Sequence, residues 1–179
     1  PLPTSEVAAT QRGLGQAKSK AIAITDITQG ESQASRVTTG MGELDRVLGG
    51  GLVRGSFTLI GGDPGIGKST LMLQILWNLA DRGTRVLYVS GEESAEQIHM
   101  RAKRLGTLSD KLLVVSETNL ESILKLSQDE KPELVVIDSI QTVFLPDIQS
   151  APGSVSQVRE CAARLMYLSK TLGVSVILI

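Results

Sequence analysis

Gly62-Asp63-Pro64-Gly65-Ile66-Gly67-Lys68-Ser69, with Thr70 behind it, combines glycines, a lysine and hydroxyls at a spacing that can hold phosphate. The stretch fits the phosphate-binding pattern G-x-x-x-x-G-K-[ST] at every fixed position. Glycines let the backbone curl so that successive N–H groups converge on phosphate oxygens, the Lys68 ammonium reaches the β- and γ-phosphates, and the Ser69 hydroxyl ligates Mg²⁺. ATP or ADP with Mg²⁺ is therefore the expected ligand, lined by Gly62 to Thr70. A second pattern supplies the other side of the metal. Leu134-Val135-Val136-Ile137-Asp138 is an apolar run ending in an acid, which delivers one carboxylate to Mg²⁺, through a water molecule, opposite Ser69. Hydrolysis also needs a group that orients and deprotonates water. Glu92 and Glu93, just past the apolar run ending at Ser90, are the candidates, because ligand sites in open α/β sheets gather at the carboxyl ends of strands. A structural alternative stays open for both, since acids are favoured near helix N-termini in any case.

These residues need strands and helices to position them. Ser56 to Ile60 reads as a short buried strand, and Ser69 to Arg82 as a mostly buried helix whose dipole sets positive charge under the phosphates. Gln74, Asn78, Asp81 and Arg82 form its polar stripe, and Trp77 has the spacing of a core residue. Upstream, Thr38 to Leu52 reads as a short helix with Met41, Leu44, Val47 and Leu48 inward, followed by a glycine stop. Arg85 to Ser90 is the next strand, and Ser94 with Gln97 matches a capping box opening a helix. Ala95, Ile98, Ala102 and Leu105 share one face of that helix. His99 flanks them, read as partly buried, while Met100, Arg101, Lys103 and Arg104 lie mainly outward. Leu112 to Val115 is a third strand. Thr118 with Glu121 resembles a second capping box, and Leu120, Ile123 and Leu124 mark a helix stopped by Pro132. After Asp138 come a loop from Thr142 to Gly153 and a helix from Ser154 to about Leu172, which carries Cys161 on its core face. Apolar strands alternating with helices predict an α/β fold, a mostly parallel sheet with helices on both faces.

The chain has 179 residues and a formal net charge of −1, so no global basic field announces nucleic acid and any such binding must be local. Cys161 is the single cysteine, which excludes an intrachain disulfide and a Cys-cluster zinc site; no zinc is expected in this chain. No apolar run reaches membrane-spanning length, and cytoplasm is the default location. Residues 1–35 read as a largely disordered linker, and residues 36–179 as the folded core. Because the chain starts at Pro1 and stops inside the apolar run Val174 to Ile179, it is expected to be a piece of a longer polypeptide, with the sheet incomplete at its C-terminal end.

With these motifs in hand, the sequence from about Arg36 to Ile179 resembles the RecA-like P-loop ATPases, and within them the bacterial RadA, or Sms, family of DNA-repair proteins. The resemblance is carried by Thr39-Gly40, Leu44 to Gly51, Leu59 to Thr70, Tyr88 to Ser94, Arg101-Ala102, Arg104 to Gly106, Val136 to Gln141, Pro152 to Val155 and Gln157 to Glu160. It implies a DNA-stimulated ATPase that forms a homohexameric ring, binds single-stranded or branched DNA, promotes branch migration and works beside recombination proteins such as RecA. It also implies that Glu92 is the catalytic glutamate, with Glu93 secondary, and that Phe144 to Gly153 is a DNA-facing loop, mobile without DNA. That loop contains no Lys or Arg, so Gln149, Ser150 and nearby Arg159 are the expected DNA contacts. In the family's sheet order the terminal strand lies between the P-loop strand and the strand ending at Asp138, with the Glu92 strand beyond. The family's four-cysteine zinc module, Lys-Asn-Arg-Phe-Gly motif and Lon-protease-like domain are absent from this sequence. Two other readings stay open at this stage: a replicative-helicase-like or KaiC-like ATPase, and a nucleotide-gated binding module without significant hydrolysis.

Overall fold

A computed structural model of the chain describes residues 36–179 together with Ala21, Ala23 and Thr25. The expected linker, residues 1–35, thus lies almost wholly outside the described residues. In chain order the elements are β1 (Arg36–Val37), α1 (Gly42–Val47), β2 (Leu52–Val53), β3 (Phe57–Leu59), α2 (Lys68–Asp81), β4 (Val86–Ser90), α3 (Ala95–Leu105), β5 (Leu112–Ser116), α4 (Leu120–Glu130), β6 (Leu134–Asp138), α5 (Val155–Leu172) and β7 (Ser175–Leu178). β1 and β2 form a small antiparallel ribbon, and the other strands form one parallel sheet in the order β3-β7-β6-β4-β5. This is the order the resemblance implied: β7 separates the P-loop strand from β6, and β4 flanks β6 on its far side.

The apolar runs of β4, β6 and β7 are continuous because these strands are covered on both faces. Alternate residues serve opposite layers. Val86, Tyr88, Leu134, Val136 and Ile177 pack with Met72, Leu73, Ile75, Leu76 and Leu79 of α2 and Ile98 of α3. Leu87, Val89, Val135, Ile137 and Val176 pack with Ile123 of α4 and with Cys161, Leu165 and Leu168 of α5. Each large aliphatic residue wholly buried in these layers contributes roughly 1.5–3 kcal/mol of transfer free energy. Cys161 is fully buried, and that burial pushes its thiol above the ordinary value, so it fills core space.

Several sequence expectations are corrected. Val47 is 79% exposed because α1 lasts only six residues and turns its Met41, Leu44 and Leu48 side toward the core. Leu59 is 68% exposed because β3 is an edge strand, paired only with β7. Trp77 is half-buried and belongs to neither core layer. His99 is exposed rather than partly buried. The second capping box gives way to a different arrangement. Asn119, not Thr118, caps α4, accepting from the Glu121 amide at 2.9 Å, while the Glu117 carboxylate takes the amides of Thr118 and Asn119. The box at Ser94 and Gln97 forms with both of its hydrogen bonds.

Candidate nucleotide site

The phosphate loop leaves the end of β3 and enters α2 without a side-chain cap. Gly65 and Gly67 adopt φ of +82° and +94°, and Gly67 takes the N-cap position with no side chain bonding the first helical turn. Among the described residues, the backbone N–H groups from Gly67 to Thr70 have no backbone hydrogen-bond partner. Gly62 to Gly67 are exposed, and Lys68, Ser69 and Thr70 are half-buried. Lys68 Nζ donates to the carbonyls of Gly62 and Asp63 at 2.7 and 2.9 Å, which sets the ammonium over the first half of the loop. A row of unpartnered N–H donors, a helix N-terminus and an ammonium on one exposed loop fit the oxygens of a polyphosphate.

Asp138 and Ser69 meet on the α2 face of the sheet. Period-two alternation along β6 puts Leu134, Val136 and Asp138 on that face, and Ser69 sits in the first turn of the helix that covers it. Between them lies a residue the sequence reading had not singled out. Tyr88 of β4 is 1% exposed, its hydroxyl donates to Asp138 Oδ2, and the Ser69 side chain lies near the phenol. Burial first, and then the bond to the Asp138 carboxylate, push the phenol well above its ordinary range, so the hydroxyl keeps its proton. Ser69 and the Asp138 carboxylate are hard oxygen donors of the kind that suits Mg²⁺ alongside phosphate oxygens. Among the described residues no group of three or more His, Cys, Asp or Glu side chains forms a separate metal cluster.

Glu92 and Glu93 part company at the end of β4. Both backbone amides donate to Ser90 Oγ, at 3.3 and 2.9 Å, which folds the chain tightly after the strand. Glu92 is exposed, and its Oε1 accepts from Ser139 Oγ at 3.2 Å, one residue beyond Asp138. Glu93 instead pairs with Arg101 Nη1 at 2.9 Å, and Arg101 Nη2 lies 3.5 Å from the Tyr88 oxygen. Arg101 was expected on the outer side of α3, yet its side chain is only 16% exposed, because the carboxylate and the phenol draw it inward. Gly91 must be glycine here, since a Cβ would come within 1.8 Å of Thr142 Oγ1. Thr142 in turn bonds the Ser139 carbonyl within the segment after β6, and the Gly91 amide donates to the Asp138 carbonyl at 2.9 Å, which ties the end of β4 to the end of β6.

The residues expected to touch DNA lie on the segment after β6 and the start of α5. Gln149 and Arg159 are exposed; Ser150 is half-buried, with its hydroxyl engaged by Ser154 and Ser156. Within the loop expected to be mobile, Leu145 to Ser150 are joined to α5 by side-chain hydrogen bonds. The Gln157 side chain, 1% exposed, accepts from the Leu145 amide and donates to the carbonyls of Leu145, Ile148 and Ser150 at 3.0–3.2 Å. Phe144 also bridges to Asn119, and Val143 and Leu145 are fully buried. A buried glutamine amid loop carbonyls carries no sequence signature beyond being polar on an apolar helix face.

A family model described as "ATPase: KaiC" matches residues 37–119. Proteins named DNA repair protein RadA are similar over most of the chain. That of Halalkalibacterium halodurans is 56% identical over 82% of this chain, that of Bacillus subtilis 55% over 83%, and that of Escherichia coli K12 50% over 97%. The chain spans about a third of the length of these relatives, 32%, 32% and 38% respectively. Among solved structures, a KaiC-like protein from Pyrococcus horikoshii OT3 superposes with a TM-score of 0.65 at 23% identity, covering 80% of this chain and 70% of that one, which shows the shared fold.

Proposed function

The chain belongs to the RadA family of RecA-like ATPases, and from that premise we propose that it is the nucleotide-hydrolysing core of a DNA-repair motor. Gly62 to Thr70 hold the phosphates of ATP or ADP, Lys68 neutralises charge between the β- and γ-phosphates, and Ser69 with Asp138, the latter through water, holds Mg²⁺. The metal ion, when bound, supplies electrostatic stabilisation of the transferring phosphoryl group. Glu92 orients the attacking water and takes its proton, and Glu93 has a secondary role. In the full-length protein this core works within a homohexameric ring, engages single-stranded or branched DNA through Gln149, Ser150 and Arg159, and promotes branch migration alongside recombination proteins such as RecA. The observation that carries the reading is that the phosphate loop, Asp138 and Glu92 follow or end β3, β6 and β4, three parallel strands of one sheet, and so lie at its carboxyl edge. Glu92 is tied to Ser139 beside Asp138, while Glu93 is turned away onto Arg101. In the full-length protein, ATP hydrolysis is expected to rise on adding single-stranded DNA, and Lys68→Ala is expected to abolish nucleotide binding. Nucleotide binding without hydrolysis, with or without DNA, would overturn the motor reading in favour of a nucleotide-gated binding module.

A further inference from the structure

Tyr88 is the one phenol buried in the layer between the sheet and α2, among Met72, Leu73, Leu76, Val86 and Val136. A phenylalanine would fill the same space. The extra hydroxyl costs free energy when buried unless it is bonded, so its presence asks for a reason. The sheet register supplies the reach: Tyr88 lies opposite Val136, and Asp138 is two residues further along on the same face. Two residues of strand span roughly 6.6 Å, about the length of a tyrosine ring with its oxygen, so the ring leaning along the sheet ends at the carboxylate. The direction of the proton follows from the neighbours. Arg101 has only donors to offer the Tyr88 oxygen and an ionised carboxylate has only acceptors, so the single phenolic proton goes to Asp138 Oδ2. Arg101 is itself held by Glu93. A chain of contacts therefore runs from Glu93 at the start of α3 through Arg101 and Tyr88 to Asp138, and the phenol also borders Ser69.

We propose that Tyr88 is a positioning residue of the Mg²⁺ site: its hydroxyl, oriented by Arg101, locks the Asp138 carboxylate in one rotamer toward Ser69. The inference rests on the reading that Ser69 and Asp138 hold Mg²⁺. Tyr88 acts through Asp138 by occupying Oδ2 and leaving Oδ1 for the metal side, in the way that outer hydrogen-bond partners orient the groups that serve a metal. The same contacts explain why Glu93, next to Glu92 in sequence, is spent on Arg101.

The test compares full-length wild type, Tyr88→Phe and Val136→Ala. Binding of a fluorescent ADP analogue is measured first in EDTA and then across an Mg²⁺ titration, with thermal unfolding followed in parallel. For Tyr88→Phe, affinity in EDTA should stay within about twofold of wild type, while the Mg²⁺ concentration that half-completes the tightening rises roughly tenfold. Val136→Ala thins the same packing layer and should lower thermal stability without moving the Mg²⁺ midpoint. An unchanged midpoint in Tyr88→Phe overturns the proposal. So does an equal shift in Val136→Ala, which would assign the effect to packing rather than to the hydroxyl. Absence of any Mg²⁺ effect in wild type overturns the underlying reading of Ser69 and Asp138, and is told apart by appearing before any substitution is made.

Discussion

Glu92 and Glu93 are neighbours in sequence that end in different surroundings. Glu92 accepts from Ser139, one residue beyond Asp138, free of any cation among the described residues; Glu93 is committed to Arg101. A carboxylate serving as general base needs access to water and freedom from a fixed counter-ion, which favours Glu92. In the full-length protein, Glu92→Gln should leave ATP affinity nearly intact while turnover falls ~10²–10⁴-fold, the usual contribution of a general base. Glu93→Gln should slow turnover less, because its loss reaches the site only through Arg101 and Tyr88. Steady-state hydrolysis with ATP binding measured separately checks both; an exchange of the two effects would move the base by one residue.

At the scale of elements, the segment between β6 and α5 is held by α5 itself. The Gln157 amide gathers one N–H and three carbonyls of that segment, so a single helical side chain stands in for the backbone pairing the loop lacks. Gln157→Ala would leave those groups to find water or go unpaired, at a cost of about 1–3 kcal/mol. Amide hydrogen exchange should quicken across Leu145 to Ser150 while the amides of β4 and β6 keep their protection. Unaltered exchange in the loop would show that the Phe144 bridge to Asn119 and the buried Val143 and Leu145 suffice to hold it. Gln149 and Ser150, the proposed DNA contacts, ride on this segment.

At the scale of the whole molecule, the proposed site stands open at the carboxyl ends of the strands, with the phosphate loop and Glu92 exposed. The chain is about a third of the length of its relatives, and an open phosphoryl-transfer site gains most from residues supplied by another segment or subunit. The 179-residue chain alone should bind ADP in the presence of Mg²⁺ yet turn over ATP ~10³-fold or more slowly than the full-length protein. Turnover numbers measured side by side decide the matter, and equal rates would show that these residues suffice for the chemistry. Among the described residues no helix is long and apolar enough to cross a membrane.

The phosphate loop, the acid at the end of β6 and the alternation of strands with helices were legible in the amino-acid order, because each depends on local spacing: glycines at fixed intervals, or an apolar run ending in Asp138. The capping box at Ser94 was legible for the same reason, since its partners are three residues apart. What spacing cannot carry is contact between residues distant in sequence. Tyr88 and Asp138 are fifty positions apart and Gly91 and Thr142 fifty-one, and only the pairing of β4 with β6 brings them together. Arg101 reads as an outward residue on any helical wheel, and turns inward only because Glu93 and Tyr88 wait on that side. Leu59 reads as core because it is apolar, and is exposed because sheet order leaves β3 at the edge. The sequence by itself thus determined which local motifs the chain carries, since their residues lie a few positions apart. The tertiary structure decided which side chains share a face and which carboxylate is left unpaired, because those depend on register and sheet order, which no local run of residues encodes.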